Sequence, residues 1–182
     1  MEEIKNKLSE FKNFDRSDFK KVFEELVFCL MTPQSKALSA DKAVKELVKK
    51  GLLFEGSVKD VSNVLRSCGV RFHNVKSERI VMARNKKVVF CRDWLVKNVC
   101  GFGLKEASHF LRNVGVFGFA ILDRHILKNL IVRGVISEIP ILNKKNYLKI
   151  EIKFKVYSKS LGLSVEELDL LFWSKETGFV FK

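Results

Sequence analysis

The chain has 182 residues, of which 47% are hydrophobic and 16 are Phe. So much apolar surface excludes intrinsic disorder, and the longest apolar runs are far shorter than the ~20 residues that a membrane-spanning helix needs. The formal net charge of +13 suits a polyanion such as nucleic acid, although other basic enzymes and ribosome-associated proteins share such a charge.

Hydrophobic residues recur with the helical period, so we predict an all-α protein with nine or ten helices. Ile4, Leu8 and Phe11 share one face of a short first helix, and Ser17 is predicted to cap a second. The buried face of the second helix is predicted to contain six residues: Phe19, Val22, Phe23, Leu26, Val27 and Leu30. Further helices are predicted in this half over residues 40–50 (closed by Gly51), 57–67, 75–86 and 93–99.

The C-terminal half continues the pattern, with helices predicted over 104–114, 123–132 and 145–160. Ser164 and Glu167 have the spacing of a capping box, which predicts the start of a last helix. That helix is predicted to end before Gly178 and to leave a short tail. Because no linker or repeat interrupts the chain, we predict one compact unit over 1–182, with two helical lobes around a cleft.

The four cysteines, Cys29, Cys68, Cys91 and Cys100, lack the C-x-x-C spacing of zinc sites. They also do not read as a disulfide framework. We interpret them as small buried hydrophobic residues in a reducing compartment, and we predict neither a bound metal nor a cofactor.

The most informative stretch is LVKNVCGFGLKEASHFL, residues 95–111, in which two apolar helical segments flank Gly101-Phe-Gly103. A helical hairpin this tight, placed at about 95–114, needs glycine where φ is positive or where another backbone comes close. The amides of Gly101 and Gly103, with the N-terminus of the following helix, are predicted to bind a DNA phosphate. An ordinary turn between two helices is the alternative.

Two residues near this hairpin suggest chemistry. Lys105 lies in the first turn of the second hairpin helix, where the helix dipole disfavours an ammonium ion and favours the neutral, nucleophilic amine. A solvated surface lysine is the alternative. Asp123 is predicted to cap a later helix, and its carboxylate can also stabilise positive charge on a sugar or accept a proton. His125 is interpreted as a structural hydrogen-bonding residue.

The segments Gly101-Phe-Gly-Leu-Lys105 and Leu122-Asp123-Arg-His125 resemble the helix-hairpin-helix core of the endonuclease III-like DNA glycosylases. Within that superfamily, the segment from Lys105 to Gly115 resembles the second-type 8-oxoguanine DNA glycosylase/AP lyases, known mainly from archaea and some thermophilic bacteria. The resemblance implies a helix-hairpin-helix glycosylase fold, with Lys105 as the Schiff-base nucleophile and Asp123 as its partner carboxylate. The cysteines that ligate an iron–sulfur cluster in the endonuclease III branch have no counterparts here.

The resemblance also extends through three further segments: Cys29–Gln34, Gly69–Ile80 and Leu168–Trp173. It implies a pocket for a flipped purine, with Phe72 and Trp173 as the stacking pair; composition alone would place either side chain in the core. It implies that the terminal Lys182, with its α-carboxylate, docks at this pocket.

Other polar residues in these segments are candidates for DNA contacts. Gln34 either holds the orphaned cytosine, as the resemblance suggests, or is a solvated turn residue. Arg71, Lys76 and Arg79 are candidate phosphate contacts, although each is also readable as a solvated charge.

These features predict a bifunctional enzyme that flips and excises 8-oxoguanine and cleaves the strand by β-elimination through a lysine Schiff base. A glycosylase for another damaged base and a non-catalytic helix-hairpin-helix module remain alternatives. The expected partner is double-stranded DNA containing 8-oxoguanine, bound by a monomer with no membrane association. The N-terminus lacks the apolar core of a secretory signal, so we expect a cytoplasmic, nucleoid-associated protein.

Overall fold

The computed structural model describes residues 1–182 and contains only α-helices as regular structure, as the periodicity predicted. No helix is both long and apolar enough to cross a membrane. The helices are α1 (Glu2–Lys12), α2 (Phe19–Met31), α3 (Ala37–Lys49), α4 (Leu52–Glu55), α5 (Val58–Ser67), α6 (His73–Ala83), α7 (Arg92–Asn98), α8 (Leu104–Asn113), α9 (Arg124–Val132), α10 (Lys144–Ser160) and α11 (Val165–Thr177).

The chain divides into two compact units, which we call the central unit and the terminal unit. The central unit comprises residues 15–110 and contains α2 to α7 with most of α8. The terminal unit comprises residues 1–14 and 111–182, so α1 belongs with α9, α10 and α11 rather than with the helix that follows it. The predicted hairpin over 95–114 lies mostly in the central unit.

The core of the central unit is built around α2, which is buried from Leu26 through Met31. Two details differ from the prediction. The cap of α2 is Asp18, whose carboxylate accepts a hydrogen bond from Lys21 N–H at 3.1 Å, while Ser17 bonds to Asp15 instead. Phe19 is exposed rather than buried, because it is the first residue of the helix and precedes the face that packs on the core.

The other helix ends follow local sequence signals. The predicted capping box of the last helix is present, because Ser164 accepts from Glu167 N–H and Glu167 accepts from Ser164 N–H. Ser57 caps α5 in the same way. The helix that the periodicity did not predict is α4, a single turn that is too short to produce a periodic pattern. Gly51 precedes it with a φ of 68°, as expected for the residue that closes α3.

In the terminal unit, α1 packs against α11 through the side chains of Ile4, Phe11 and Leu170. Gly115 permits this packing, since a Cβ there would lie 2.4 Å from the carbonyl oxygen of Phe11. The start of the chain is thereby fixed against the end of α8.

Arg112 of α8 and Asp169 of α11 also form a buried ion pair in the terminal unit. Arg112 additionally donates to the side-chain oxygen of Asn113. Burial raises the pKa of Asp169 to about 7; the charge of Arg112 opposes this shift, and the negative charge of Asp123 adds to it. Asp123 therefore contributes to the electrostatic environment of this pair.

Two of the four cysteines are buried as predicted, and two are not. Cys29 and Cys68 are buried, but Cys91 and Cys100 are exposed because they lie at the edges of α7, outside its apolar face. All four are free thiols. No three His, Cys, Asp or Glu side chains lie close enough together to hold a metal ion.

Candidate functional site

The predicted helical hairpin is formed by α7, the turn over residues 99–103, and α8. Gly101 has a φ of 95°, so glycine is required there, as predicted. A Cβ on Gly101 would lie 2.7 Å from Arg79 Cδ, which shows that the Arg79 side chain lies against the turn. Phe102 is buried and packs against Phe110 with 6.2 Å between ring centroids. The turn is thus anchored in the core and flanked by a cation.

Gly103 differs from the prediction. Its φ is not positive, and its N–H donates to Glu106 Oε2 at 3.0 Å, so this amide already has an acceptor. The prediction that this amide binds a phosphate is therefore wrong for this structure. Gly103 instead lies directly before α8, and its carbonyl accepts from Ala107 N–H. The signal that could have revealed this is the Gly-x-x-Glu spacing, in which Glu takes the place it has in a capping box.

Lys105 is the second residue of α8, as predicted, and its side chain is 24% exposed. Its Nζ lies 3.5 Å from Glu106 Oε1. Glu106 therefore contacts both the turn and the candidate nucleophile, and sequence reasoning gave it no role. The amides of Leu104 and Lys105 precede the first intrahelical hydrogen bond, so they are available to an anion.

Lys76 is not a solvated phosphate ligand. Lys76 is buried, with only 3% of its surface exposed. Its Nζ donates three hydrogen bonds: to Met31 O at 2.7 Å, to Pro33 O at 2.7 Å and to Ser35 Oγ at 3.0 Å. An ammonium has three protons, so these bonds use its full donor capacity. The prediction of a phosphate-binding Lys76 is therefore wrong. The sequence gives no local signal of these hydrogen bonds, because their acceptors lie more than 40 residues away along the chain.

Burial, together with the nearby positive charges of Arg79, Lys105 and Arg71, lowers the pKa of Lys76 to about 8. This lysine is nevertheless a poor candidate for the nucleophile, because its nitrogen is enclosed and directed at protein oxygens.

Gln34 and Phe72 are the two non-glycine residues with positive φ, at 55° and 56°. Both are exposed, and Phe72 presents 54% of its surface to solvent. The alternative of a core position for Phe72 is thereby excluded. The guanidinium of Arg71 lies 5.6 Å from the Phe72 ring. An exposed aromatic ring beside a cation, on a strained turn, is suited to stacking with a base.

Asp123 caps α9 as predicted. Its Oδ1 accepts from the N–H groups of His125 and Ile126, both at 2.8 Å. Both bonds use one oxygen, so Oδ2 remains available for other chemistry. The ring of His125 accepts a hydrogen bond at Nε2 from Arg124 Nε at 3.3 Å, and its Nδ1 lies 3.7 Å from Glu176 Oε2 on α11.

Buried side chains fix the extended segment that leads to Asp123. The hydroxyl of Tyr147 accepts from Leu122 N–H at 3.2 Å and donates to Ala120 O at 2.7 Å. Glu151, one turn later on α10, accepts from Ala120 N–H at 2.8 Å. Helix α10 therefore provides the hydrogen bonds that a neighbouring strand would otherwise give, and it determines where Asp123 lies.

Trp173 lies on α11, where the C-terminal tail folds back over it. Gly178 ends the helix with a φ of 85°, which reverses the chain. Phe179 then meets Trp173 edge-on, with centroids 5.3 Å apart, and Phe181 stacks on it at 6.4 Å. The tail that ends at Lys182 is thus packed against the helix that carries Trp173.

Comparisons with known proteins identify the family to which the chain belongs. A family model described as 8-oxoguanine DNA glycosylase, Ogg-HhH, matches residues 4–163. The chain belongs to the 8-oxoguanine DNA glycosylase family. The resemblance drawn from the hairpin and Asp123 segments is therefore confirmed, together with the predicted all-α fold and enzyme class.

Two curated relatives of this family are each named 8-oxoguanine DNA glycosylase/AP lyase. The relative from Fusobacterium nucleatum is 43% identical over 200 residues, covering 98% of this chain and 91% of the relative. The relative from Thermoplasma volcanium is 41% identical over 192 residues, with the same coverage of both chains.

Solved structures of the family also match this chain. The 8-oxoguanine DNA glycosylase of Thermotoga maritima matches with a TM-score of 0.89 and 34% identity, over 98% of this chain and 91% of that one. The Methanocaldococcus jannaschii 8-oxoguanine glycosylase/lyase, solved in complex with a 15mer DNA containing 8-oxoguanine, matches with the same score, identity and coverage. The glycosylase fold thus extends over nearly the whole chain.

Proposed function

We propose that this chain excises 8-oxoguanine from duplex DNA and then cleaves the strand at the abasic site, with Lys105 as the nucleophile. The observation that carries the proposal is the position of Lys105 at the start of α8, directly after the hairpin turn, in a member of this family. The relatives whose alignments cover 98% of this chain bear the name of this dual activity.

In the first step the neutral amine of Lys105 forms a bond to C1′ of the damaged nucleotide, and the bond from C1′ to the base breaks. The amine loses a proton to Asp123 Oδ2, and Asp123 in turn gives a proton to the departing base. The sugar ring then opens as the C1′–O4′ bond breaks, O4′ takes up a proton from water, and the nitrogen lone pair forms the protonated imine that joins Lys105 to C1′. Asp123, through its available Oδ2, stabilises the positive charge on the sugar and accepts the proton from the amine.

In the second step the imine acidifies the C2′ hydrogens. Loss of one C2′ proton moves its electron pair into a C2′–C3′ double bond, and the C3′–O bond breaks with the 3′ phosphate as leaving group. Water then hydrolyses the imine and regenerates Lys105. The protonated imine is the electron sink of this elimination.

The remaining predicted residues bind the substrate in this proposal. Phe72 and Trp173 stack on the flipped purine, and the carboxylate of Lys182 helps to recognise it. Gln34 contacts the orphaned base. Arg71 and the amide of Gly101 contact phosphates.

Because the substrate is chromosomal DNA, we place the enzyme with the nucleoid in the cytoplasm. We propose a monomer as the acting form. The net charge of +13 supports an association with DNA that depends on salt.

Incubation with a set of duplexes tests this function. Each duplex carries a single lesion (8-oxoguanine, an oxidised pyrimidine or an alkylated base) or none. The products are resolved before and after treatment with hot alkali, which cleaves all abasic sites. We expect cleavage of the 8-oxoguanine strand without alkali. Preferred cleavage of another lesion would support a different glycosylase, and binding without cleavage would indicate a non-catalytic module.

A further inference from the structure

The strongest feature outside the proposed chemistry is the hydrogen bonding of Lys76. Through Nζ it binds three oxygens of one short segment, Met31 O, Pro33 O and Ser35 Oγ. Met31 is the last residue of α2, so the ammonium lies at the negative end of that helix dipole and binds a carbonyl that lacks an intrahelical partner. The helix dipole and the three acceptors therefore offset part of the cost of burying a cation at this position.

Lys76 lies in the first turn of α6, directly after the Phe72 turn. Its N–H donates to Phe72 O at 3.0 Å as the first helical hydrogen bond of α6. Ser35 links the two turns directly, because its Oγ accepts hydrogen bonds from both Arg71 N–H, at 2.9 Å, and Lys76 Nζ. We call these contacts of Lys76 and Ser35 the Lys76–Ser35 network. The network joins the turn that contains Gln34 to the turn that contains Phe72.

Both turns carry backbone strain at the residue they expose. A left-handed conformation is unfavourable for a non-glycine residue, and it persists only where surrounding contacts fix it. Gln34 lies between Pro33 and Ser35, which Lys76 binds, and Phe72 directly follows Arg71, which Ser35 binds. The network contacts the chain next to each strained residue.

The far side of the Phe72 turn is fixed as well. Ser62 of α5 donates to Asn74 Oδ1 at 2.7 Å and lies 2.9 Å from His73 Nδ1. These contacts hold the first turn of α6 on α5 but do not reach the Gln34 turn. The hydrogen bonds that connect the Gln34 turn to the Phe72 turn are those of the Lys76–Ser35 network.

We propose that Lys76, with Ser35, is a positioning residue for lesion recognition, which holds Gln34 and Phe72 at a fixed spacing for contact with the duplex. This inference rests on the proposed function. Lys76 does not touch DNA in this account; it acts through two exposed side chains, one polar and one aromatic. The abasic-site cleavage by Lys105 requires no stacked base, so it does not depend on the network.

The test compares two substrates that differ only in the base at one site: a duplex with 8-oxoguanine and the same duplex with a preformed abasic site. The variants are Lys76→Met and Ser35→Ala. We expect single-turnover excision of 8-oxoguanine to fall by about 10- to 100-fold, since small misplacements of binding groups cost this much. Cleavage of the abasic site should stay within about twofold of wild type, because it needs Lys105 but not the aligned pair.

Lys42→Met is the matched control, because it removes one exposed lysine from α3 in the same unit. It should leave both activities unchanged. If Lys76→Met does not fold, as judged by circular dichroism, Ser35→Ala decides alone, since it removes only a hydroxyl.

The inference is overturned if both variants excise 8-oxoguanine at the wild-type rate. It is also overturned if excision and abasic-site cleavage fall in parallel, which would show a merely structural role. A wild-type protein that cleaves abasic sites but never excises 8-oxoguanine would instead contradict the proposed function.

Discussion

Asp123 combines two roles that a substitution can separate. Its Oδ1 caps α9 by accepting two backbone N–H groups, and its charge is the part required by the proposed chemistry. Asn caps helices as well as Asp does, whereas Ala removes the cap at a cost of about 1 kcal/mol.

We predict that Asp123→Asn unfolds in urea at nearly the wild-type midpoint, yet excises 8-oxoguanine about 10²- to 10³-fold more slowly, as when a charge that stabilises a transition state is removed. Asp123→Ala should lose both activity and stability. Full activity in Asp123→Asn would show that the carboxylate is only a cap.

At the level of single residues, the sequence located those whose chemistry acts over a few neighbours. The places of Lys105 in the first turn of α8 and of Asp123 at the cap of α9 follow from local sequence signals, whereas their chemical roles stay proposals. Lys76 was misread because its three acceptors lie more than 40 residues away in sequence. Glu106 was overlooked because its partner in the cap is glycine, which has no side chain to complete the motif.

Among the helices, those with strong local signals were predicted closely. The capping box at Ser164 and Glu167 marks the start of α11, and Gly178 marks its end, both at the expected residues. Helix α6 begins at His73, two residues before the predicted start, because Phe72 takes a left-handed conformation that tertiary contacts stabilise. Sequence periodicity carries no record of such contacts.

The helix that fixes Asp123 is α10, and its effect can be measured. Tyr147→Phe removes the hydroxyl that binds Leu122 N–H and Ala120 O and leaves both backbone groups buried without this partner. We predict a loss of about 1–3 kcal/mol in the free energy of unfolding, the cost of unsatisfied buried polar groups.

Tyr157→Phe, on the same helix, is the matched control and should change stability by less than about 0.5 kcal/mol, as surface substitutions usually do. Urea unfolding followed by circular dichroism measures both. Equal stabilities for the two variants would mean that the Tyr147 hydroxyl does not hold the segment before Asp123.

For the whole molecule, the net charge of +13 implies that DNA binding weakens as salt rises. Only cations that neutralise phosphates contribute to this dependence. Arg71 is exposed, whereas the ammonium of Lys76 is already saturated by protein oxygens.

We predict that Arg71→Ala lowers the slope of log K against log salt by about 0.9, the value for one phosphate contact, while Lys76→Met leaves the slope unchanged. Fluorescence anisotropy with a labelled duplex over a range of KCl concentrations gives both slopes. Equal reductions in the two variants would show that Lys76 reaches the DNA after all.

If Lys105 forms the covalent intermediate, borohydride reduces the imine and traps the protein on the DNA. Wild-type protein and Lys105→Gln are each incubated with 8-oxoguanine duplex and sodium borohydride, and the adduct is mapped by peptide mass spectrometry. We predict an adduct in wild type, on the peptide that contains Lys105, and none in Lys105→Gln. An adduct that persists in Lys105→Gln, or that maps to another lysine such as Lys76, would contradict the account.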